Sequence, residues 1–179
     1  MNTSFTNIAK ISRPENDGAP SFRVSSAFHE SGHAVIAILL GVAVDAVELL
    51  PEGSNPCGKF RFGAVRQDQA DLVAIIAKSG LIAELVFNPS ASRSPRRQDE
   101  RIAMRACRGR LDTLFPASRA RFMRNAELQA LQLVAAHLPV IAALAQQLLA
   151  KGKLSGQEVT DFVRQRISRH PAAEGKATP

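Results

Sequence analysis

Residues 28 to 34 read FHESGHA, and this stretch contains an HExxH pattern. His29 and His33 are four positions apart, so on an α-helix both imidazole rings project from one face. Two ring nitrogens on one face can bind a single zinc ion at about 2.0–2.1 Å. Glu30 lies at the edge of that face, where its carboxylate can take a proton from water and pass it to a leaving amine. The pattern therefore predicts a zinc site with Glu30 as its catalytic base.

The residues around this stretch favour a buried helix. Ser25 and Ser26 are suitable N-caps, and Gly41 is a suitable terminator after Leu40. Gly32 is a poor helix former, which indicates close approach by a neighbouring helix or a ligand. The apolar residues of the segment are Phe28, Val35, Ile36, Leu39 and Leu40. The alternative interpretation is a core helix that happens to carry two histidines, because HExxH also occurs outside enzymes.

The remainder of the chain predicts a mainly α-helical, compact domain with a small β-ribbon after the HExxH helix. Residues 44–50 and 59–65 alternate in polarity and are separated by a turn rich in proline and glycine, which predicts the ribbon. Five further helices are predicted, over residues 69–87, 95–110, 116–137, 139–149 and from 156 onwards. One domain over residues 25–168 would then lie between a flexible arm, residues 1–24, and a disordered tail, residues 169–179.

Several residues mark the ends or the packing of these helices. Asp68 is the predicted N-cap of the second helix, and Ser94, which precedes a proline, is that of the third. Ser155 and Glu158 have the spacing of a capping box. Gly80 inside the second helix costs about 1 kcal/mol relative to alanine. A close packing contact is therefore expected at Gly80.

Composition and charge narrow the possible functions. The chain has 179 residues, a net charge of +7 and no tryptophan or tyrosine. Its aromatic residues are too few for a base-stacking platform, so nucleic acid is an unlikely partner. Two cysteines cannot form a disulfide framework. No signal-peptide pattern is visible, and the apolar run from Ala34 to Val44 is too short to span a bilayer, so a cytoplasmic protein without a membrane span is expected.

Arginines are concentrated between Arg93 and Arg124, where ten occur with only three acidic residues. Helical spacing places one row of them on a single face of the third helix: Arg97, Arg101, Arg105 and Arg108. A solvated helix face is the simplest interpretation of such a row. The functional alternative is a surface for an acidic peptide or a nucleic acid.

A catalytic zinc ion usually has three protein ligands, so the two histidines need a partner. Sequence spacing alone does not choose among the candidates, which are Glu84, Asp99, Glu100, Cys107 and His137. Each of these residues, taken singly, is also compatible with a solvated or capping role.

FHESGHAV resembles the HEAGHA segment of the FtsH family, the membrane-bound, ATP-dependent zinc proteases. VDAVELLPEG is similar to the family's strand and following turn, and SGLIAEL is similar to its AGRAAEE segment. LAQQLLAKGKLSGQEVTDFV is similar to its closing helices. The resemblance runs in the same order over residues 25–168.

This resemblance implies roles for particular residues. The zinc ligands would be His29, His33 and Asp99. Glu30 would be the base, and Glu84 would lie next to the ligands without binding the metal itself. Pro-Arg-Arg-Gln precedes Asp99, where the family has a different stretch. The alternative alignment places Glu100 at the position of the family's aspartate. The neighbouring arginines are expected to keep the third carboxylate ionised.

The resemblance implies a zinc-dependent endopeptidase that hydrolyses peptides or unfolded proteins. The sequence has no GxxxxGK[ST] phosphate loop, so such a peptidase would act without its own ATPase, or with a separate unfoldase. The ring assemblies of the family make a homo-oligomer possible. The alternative is a non-catalytic module of the same fold that binds a protein or nucleic acid through the arginine row.

Overall fold

The computed structural model describes residues 22–51, 54, 58–89, 97–110 and 116–169. These residues are mainly helical and include one small antiparallel sheet, as predicted. In chain order the elements are α1 (Phe22–Leu39), β1 (Val44–Leu49), β2 (Gly58–Phe62), a 3-10 turn (Gln67–Gln69), α2 (Ala70–Phe87), α3 (Arg97–Arg110), α4 (Pro116–Lys151), β3 (Lys153–Ser155) and α5 (Gly156–Arg169). Most of the predicted arm and nearly all of the predicted tail lie outside the described residues.

Helix α1 is the central element of the fold, and every residue from Ser25 to Ala37 is buried. It packs against α2 on one side and α4 on another. A side chain on Gly32 would place its Cβ 2.6 Å from the Cβ of Ala83 in α2. The two helices therefore approach this closely only because residue 32 is glycine, which confirms the expected close approach.

The two ends of α1 differ in how well the sequence predicted them. Gly41 has a φ of 74°, and this left-handed conformation ends the helix as expected. The N-terminal prediction was wrong, because α1 begins at Phe22 and includes the last three residues assigned to the arm. Ser25 is a buried helical residue whose Oγ accepts a hydrogen bond from Asn88 Nδ2 at 3.2 Å. Tertiary packing thus replaces the predicted cap.

The sheet has the strand order β2-β1-β3. β1 and β2 form the predicted antiparallel ribbon, with Val47 opposite Phe60. β3 was not predicted, and it pairs Leu154 with Val47 on the other side of β1. Within the part of the chain that the structure describes, β2 is therefore an edge strand.

The start of α2 differs from the prediction. Asp68 does not cap the helix, because its carboxylate pairs with Arg66 Nη2 at 2.8 Å. A 3-10 turn precedes the helix instead, and the N-cap residue Gln69 makes no side-chain capping bond. Helix α3 begins at Arg97, so its predicted cap, Ser94, lies outside the described residues.

Helix α4 consists of two helical halves joined at a kink. His137 has non-helical angles, φ −117° and ψ 16°, two residues before Pro139. Proline lacks the N–H group and clashes with the carbonyl four residues earlier, so the predicted break is confirmed. Taken together, Ser118–Lys151 is long and apolar enough to cross a membrane, with 39% of its most apolar window buried in the fold. A core helix meets the same criteria.

Helix α5 begins with the predicted capping box. The backbone N–H of Ser155 donates to Glu158 Oε2 at 2.8 Å, and the N–H of Glu158 donates to Ser155 Oγ at 3.3 Å. Hydrogen bonds from Lys151 and then from Ser155 lower the pKa of Glu158 to about 2. The cap therefore anchors the helix that covers β1.

Candidate metal centre

Three ligand atoms from two helices converge beside α1. His29 Nε2 lies 3.1 Å from His33 Nε2 and 2.9 Å from Asp99 Oδ2. His33 Nε2 lies 3.6 Å from the same Asp99 oxygen. The two histidines are one helical turn apart on α1, and Asp99 comes from the first turn of α3.

The other ring nitrogen of each histidine has an oxygen partner. His33 Nδ1 donates to the carbonyl oxygen of Ile76 at 2.6 Å, and His29 Nδ1 donates to Glu84 Oε2 at 3.0 Å. A carbonyl and a carboxylate oxygen only accept. In neutral imidazoles, both Nε2 atoms therefore carry lone pairs that face Asp99 and each other.

Three facing acceptors repel one another unless a cation lies among them. A metal ion that binds its ligands tetrahedrally at about 2.0–2.1 Å separates the ligand atoms by about 3.3 Å. The three observed separations lie around that value. The group formed by His29, His33 and Asp99 can therefore hold a metal ion.

The structure distinguishes among the candidates for the third ligand. Glu100 is exposed and pairs with Lys78 of α2, so Asp99 is the carboxylate beside the histidines. His137 Nδ1 donates to the Leu133 carbonyl, within its own helix. Glu84 is buried behind His29, and the buried Cys107 is not among the converging atoms.

Among the described residues, the groups that lower the pKa of Asp99 are not those that the sequence suggested. Burial opposes ionisation of this carboxyl, but when the histidines are protonated, the charge of His33 and the hydrogen bonds from both rings lower the pKa of Asp99 well below its usual range. Among the described side chains, no arginine contributes to this shift, and the expectation for the other nearby arginines falls outside the described residues. Arg101, Arg105 and Arg108 point to solvent, and the side chain of Arg97 lies outside the described residues.

Glu30 is next to the converging atoms and is only 8% exposed. Loss of hydration raises the pKa of its carboxyl group, while His29 and His33 act in the opposite direction. None of the described residues donates a hydrogen bond to Glu30. Its carboxylate is therefore free to exchange a proton with a small molecule in the site.

Two glycines leave room for the side chains of Glu30 and His33. A Cβ on Gly58, at the start of β2, would lie 2.5 Å from Glu30 Oε1. A Cβ on Gly80 of α2 would overlap the imidazole ring of His33. The close contact expected at Gly80 is thus confirmed, whereas sequence reasoning missed Gly58. From the sequence, Gly58 belonged to the predicted turn before the second strand, where a glycine is ordinary and indicates no role at the site.

A cavity of about 410 Å³ opens over the three ligand atoms. Phe60 of β2 stacks on His33, with ring centroids 5.5 Å apart and an interplanar angle of 20°. The apolar wall consists of Phe60, Phe62, Val73, Ile76 and Ile102. Phe22, Lys59 and Arg61 also border the cavity, and all three are exposed. The sequence analysis assigned none of these wall residues to the site.

A buried carboxylate that accepts no hydrogen bond from a described residue, beside two imidazoles and a second carboxylate, can perform acid–base chemistry next to a bound metal ion. No protein-family model matches the chain, and no curated protein matches it by sequence. Proposals about its function therefore depend on the geometry of this centre and on the sequence resemblance.

Proposed function

We propose that the chain is a zinc-dependent endopeptidase that hydrolyses peptides or unfolded proteins. The observation that carries the proposal is the convergence of two Nε2 atoms and Asp99 Oδ2, with Glu30 buried beside them. Metal binding alone would explain the three ligand atoms. It would not explain a fourth ionisable side chain held in the same cavity with no hydrogen-bond partner among the described residues.

The ligand set favours zinc. Two imidazoles and one carboxylate make three protein ligands, the number typical of catalytic zinc sites that leave a position open, and the HExxH spacing on one helix is typical of zinc. Zinc bound there would supply a Lewis acid that polarises a peptide carbonyl and makes water more acidic. Glu84 orients His29 through Nδ1, and the carbonyl of Ile76 orients His33 in the same way.

Glu30 has the proton-transfer role in this proposal. Its carboxylate accepts a proton from the attacking water as the new carbon–oxygen bond forms. It then delivers that proton to the amide nitrogen as the carbon–nitrogen bond breaks. Burial raises the pKa of Glu30, which makes it a stronger base than an exposed glutamate.

The walls of the cavity support a peptide substrate. The edge strand β2 borders the cavity along its whole length, from Gly58 to Phe62. An extended peptide can add to such an edge through backbone hydrogen bonds. Phe60 and Ile102 provide apolar surface for one of its side chains.

Metal content and hydrolysis together test the proposal. Purified protein should contain about one zinc ion per chain and should cleave a mixture of unstructured peptides. Asp99→Asn should lose the metal, whereas Glu100→Gln is the matched control that keeps it. Glu30→Gln should keep the metal and lose hydrolysis. Full activity in Glu30→Gln would overturn the proposal.

A second candidate is a binding module that uses the arginine row. Arg101, Arg105 and Arg108 are exposed, and in the described chain none of them forms an ion pair. Such a surface would bind an acidic protein or a nucleic acid, with an affinity that falls as salt rises. This candidate predicts salt-sensitive binding in Glu30→Gln that is lost when the three arginines are changed to glutamine.

A further inference from the structure

Strand β2 has one free edge in the part of the chain that the structure describes. It pairs with β1, while β3 occupies the far side of β1. Natural proteins often protect such an edge with charged side chains, which disfavour pairing with strands of the same charge. The side chains on β2 therefore determine which extended segments can pair with it.

The side chains of β2 alternate between two faces. Phe60 and Phe62 stack on each other, with centroids 5.4 Å apart, and Phe60 also stacks on His33. Lys59 and Arg61 are exposed and project to the opposite face, since successive residues of a strand alternate. One face is thus apolar and adjoins the metal ligands, whereas the other is cationic.

The cations on β2 are not neutralised within the described chain. Lys59 is opposite Glu48 of β1, but the carboxylate of Glu48 lies 3.7 Å from Lys153 of β3 instead. Arg61 is opposite Ala46. Neither Lys59 nor Arg61 forms an ion pair with a described residue. An added strand with acidic side chains would supply the missing partners.

We infer that β2 selects extended peptides in which an apolar residue lies between two acidic ones, and that Lys59 and Arg61 determine this preference. The inference rests on the proposed function, because it assumes a peptide ligand. In an added strand, the residue opposite Phe60 faces the cavity above His33. Its two neighbours are then opposite Lys59 and Arg61, where opposite charges stabilise the pairing.

The test measures binding rather than cleavage. Fluorescein-labelled ten-residue peptides that contain Glu-Phe-Glu, Gln-Phe-Gln or Lys-Phe-Lys are titrated with zinc-supplemented Glu30→Gln protein, and anisotropy gives each Kd. Each exposed ion pair is expected to increase affinity about threefold. With two such pairs, the glutamate peptide should bind about tenfold more tightly than the glutamine peptide. The lysine peptide should bind more weakly than both.

Variants assign the preference to β2. In the Glu30→Gln background, Lys59→Gln with Arg61→Gln should abolish the tenfold preference, so that the glutamate and glutamine peptides bind with about equal affinity. Arg101→Gln with Arg105→Gln removes the same charge from α3 and should preserve the preference. Circular dichroism checks that each variant is folded.

Each alternative result contradicts the inference. Equal affinity for the glutamate and glutamine peptides, no binding of any peptide, or an equal loss in the α3 variant would overturn it. Failure of wild-type protein to cleave any peptide would overturn the endopeptidase proposal instead. Such a failure would leave a measured binding preference on β2 intact.

Discussion

Glu84 Oε2 lies 3.0 Å from His29 Nδ1, while Nε2 of the same ring lies 2.9 Å from Asp99 Oδ2. A buried carboxylate on α2 therefore fixes the tautomer and the orientation of a histidine on α1 that could hold a metal ion. Glu84→Gln removes the charge that increases the basicity of the ring. We expect metal affinity to fall by about 10–100-fold. A chelator-competition titration measures this change, and exposed Glu100→Gln is the control that should remain at the wild-type value.

Gly80 lies directly under the ring of His33, and this contact gives a second prediction. A methyl group in Gly80→Ala would overlap the imidazole and displace it from the other two ligand atoms. We expect the purified variant to contain little zinc, although alanine has the higher helix propensity by about 1 kcal/mol. Elemental analysis provides the measurement.

Gly63→Ala is the matched control for Gly80→Ala. Its new Cβ would lie 3.4 Å from the Cβ of Ala43, close to ordinary van der Waals contact. This variant should retain its zinc. Wild-type zinc content in Gly80→Ala would show that His33 can move without loss of the site.

Gly58 positions the proposed base rather than the metal ligands. In Gly58→Ala the new methyl group would collide with Glu30 Oε1 and Cγ and force the carboxylate to move. A displacement of about 1 Å at a catalytic group costs about 100-fold in rate. We therefore expect a loss of that order in kcat with normal zinc content. Equal losses of zinc and activity would instead indicate general disruption of the cavity.

Local sequence signals predicted a large part of this structure. The four-residue spacing of His29 and His33 depends only on helix geometry, and the kink before Pro139 depends only on the chemistry of proline. Alternation of polar and apolar residues was enough to identify β1 and β2. The capping box at Ser155 likewise involves residues three positions apart.

Features that depend on distant contacts were not predictable in this way. β3 has three residues and exists because Leu154 meets Val47, which is far away in the chain. Asp99 and Glu100 are adjacent in the first turn of α3, so the sequence could not distinguish them. Their roles follow from the orientation of α3 about its own axis, which places Glu100 beside Lys78. Phe60 became a site residue only through its stacking on His33.

Glu158 provides a prediction about pH. Its pKa is lowered from 4.5 to about 2 by Lys151 and Ser155, so the ionised form stabilises the folded state. That contribution is present above pH 4.5 and is lost as the pH falls towards 2. We expect Glu158→Gln to be less stable than wild type at pH 7 and equally stable near pH 2. Urea unfolding followed by circular dichroism at both values provides the comparison.

The partner of Glu158 supplies the control. Ser155→Ala should lower the free energy of unfolding by about 1 kcal/mol, as is typical for loss of an N-cap. Because the two residues share one hydrogen-bonded cap, their effects should not be additive in the double variant. A stability difference between wild type and Glu158→Gln that persists unchanged at pH 2 would contradict the assignment.

The three ligand atoms belong to helices whose contributing residues are up to 70 positions apart. α3, which supplies Asp99, is strongly charged, and among its described side chains only Ala103 and Cys107 are buried. An ion held between α1 and α3 would therefore act as a reversible tether between two helices that make few direct contacts with each other. Folding and metal supply become thermodynamically linked, and an ion at 100 times its Kd adds about 2.7 kcal/mol to the free energy of unfolding. Loss of such an ion would therefore lower the local stability of α3 before that of the buried helix α1.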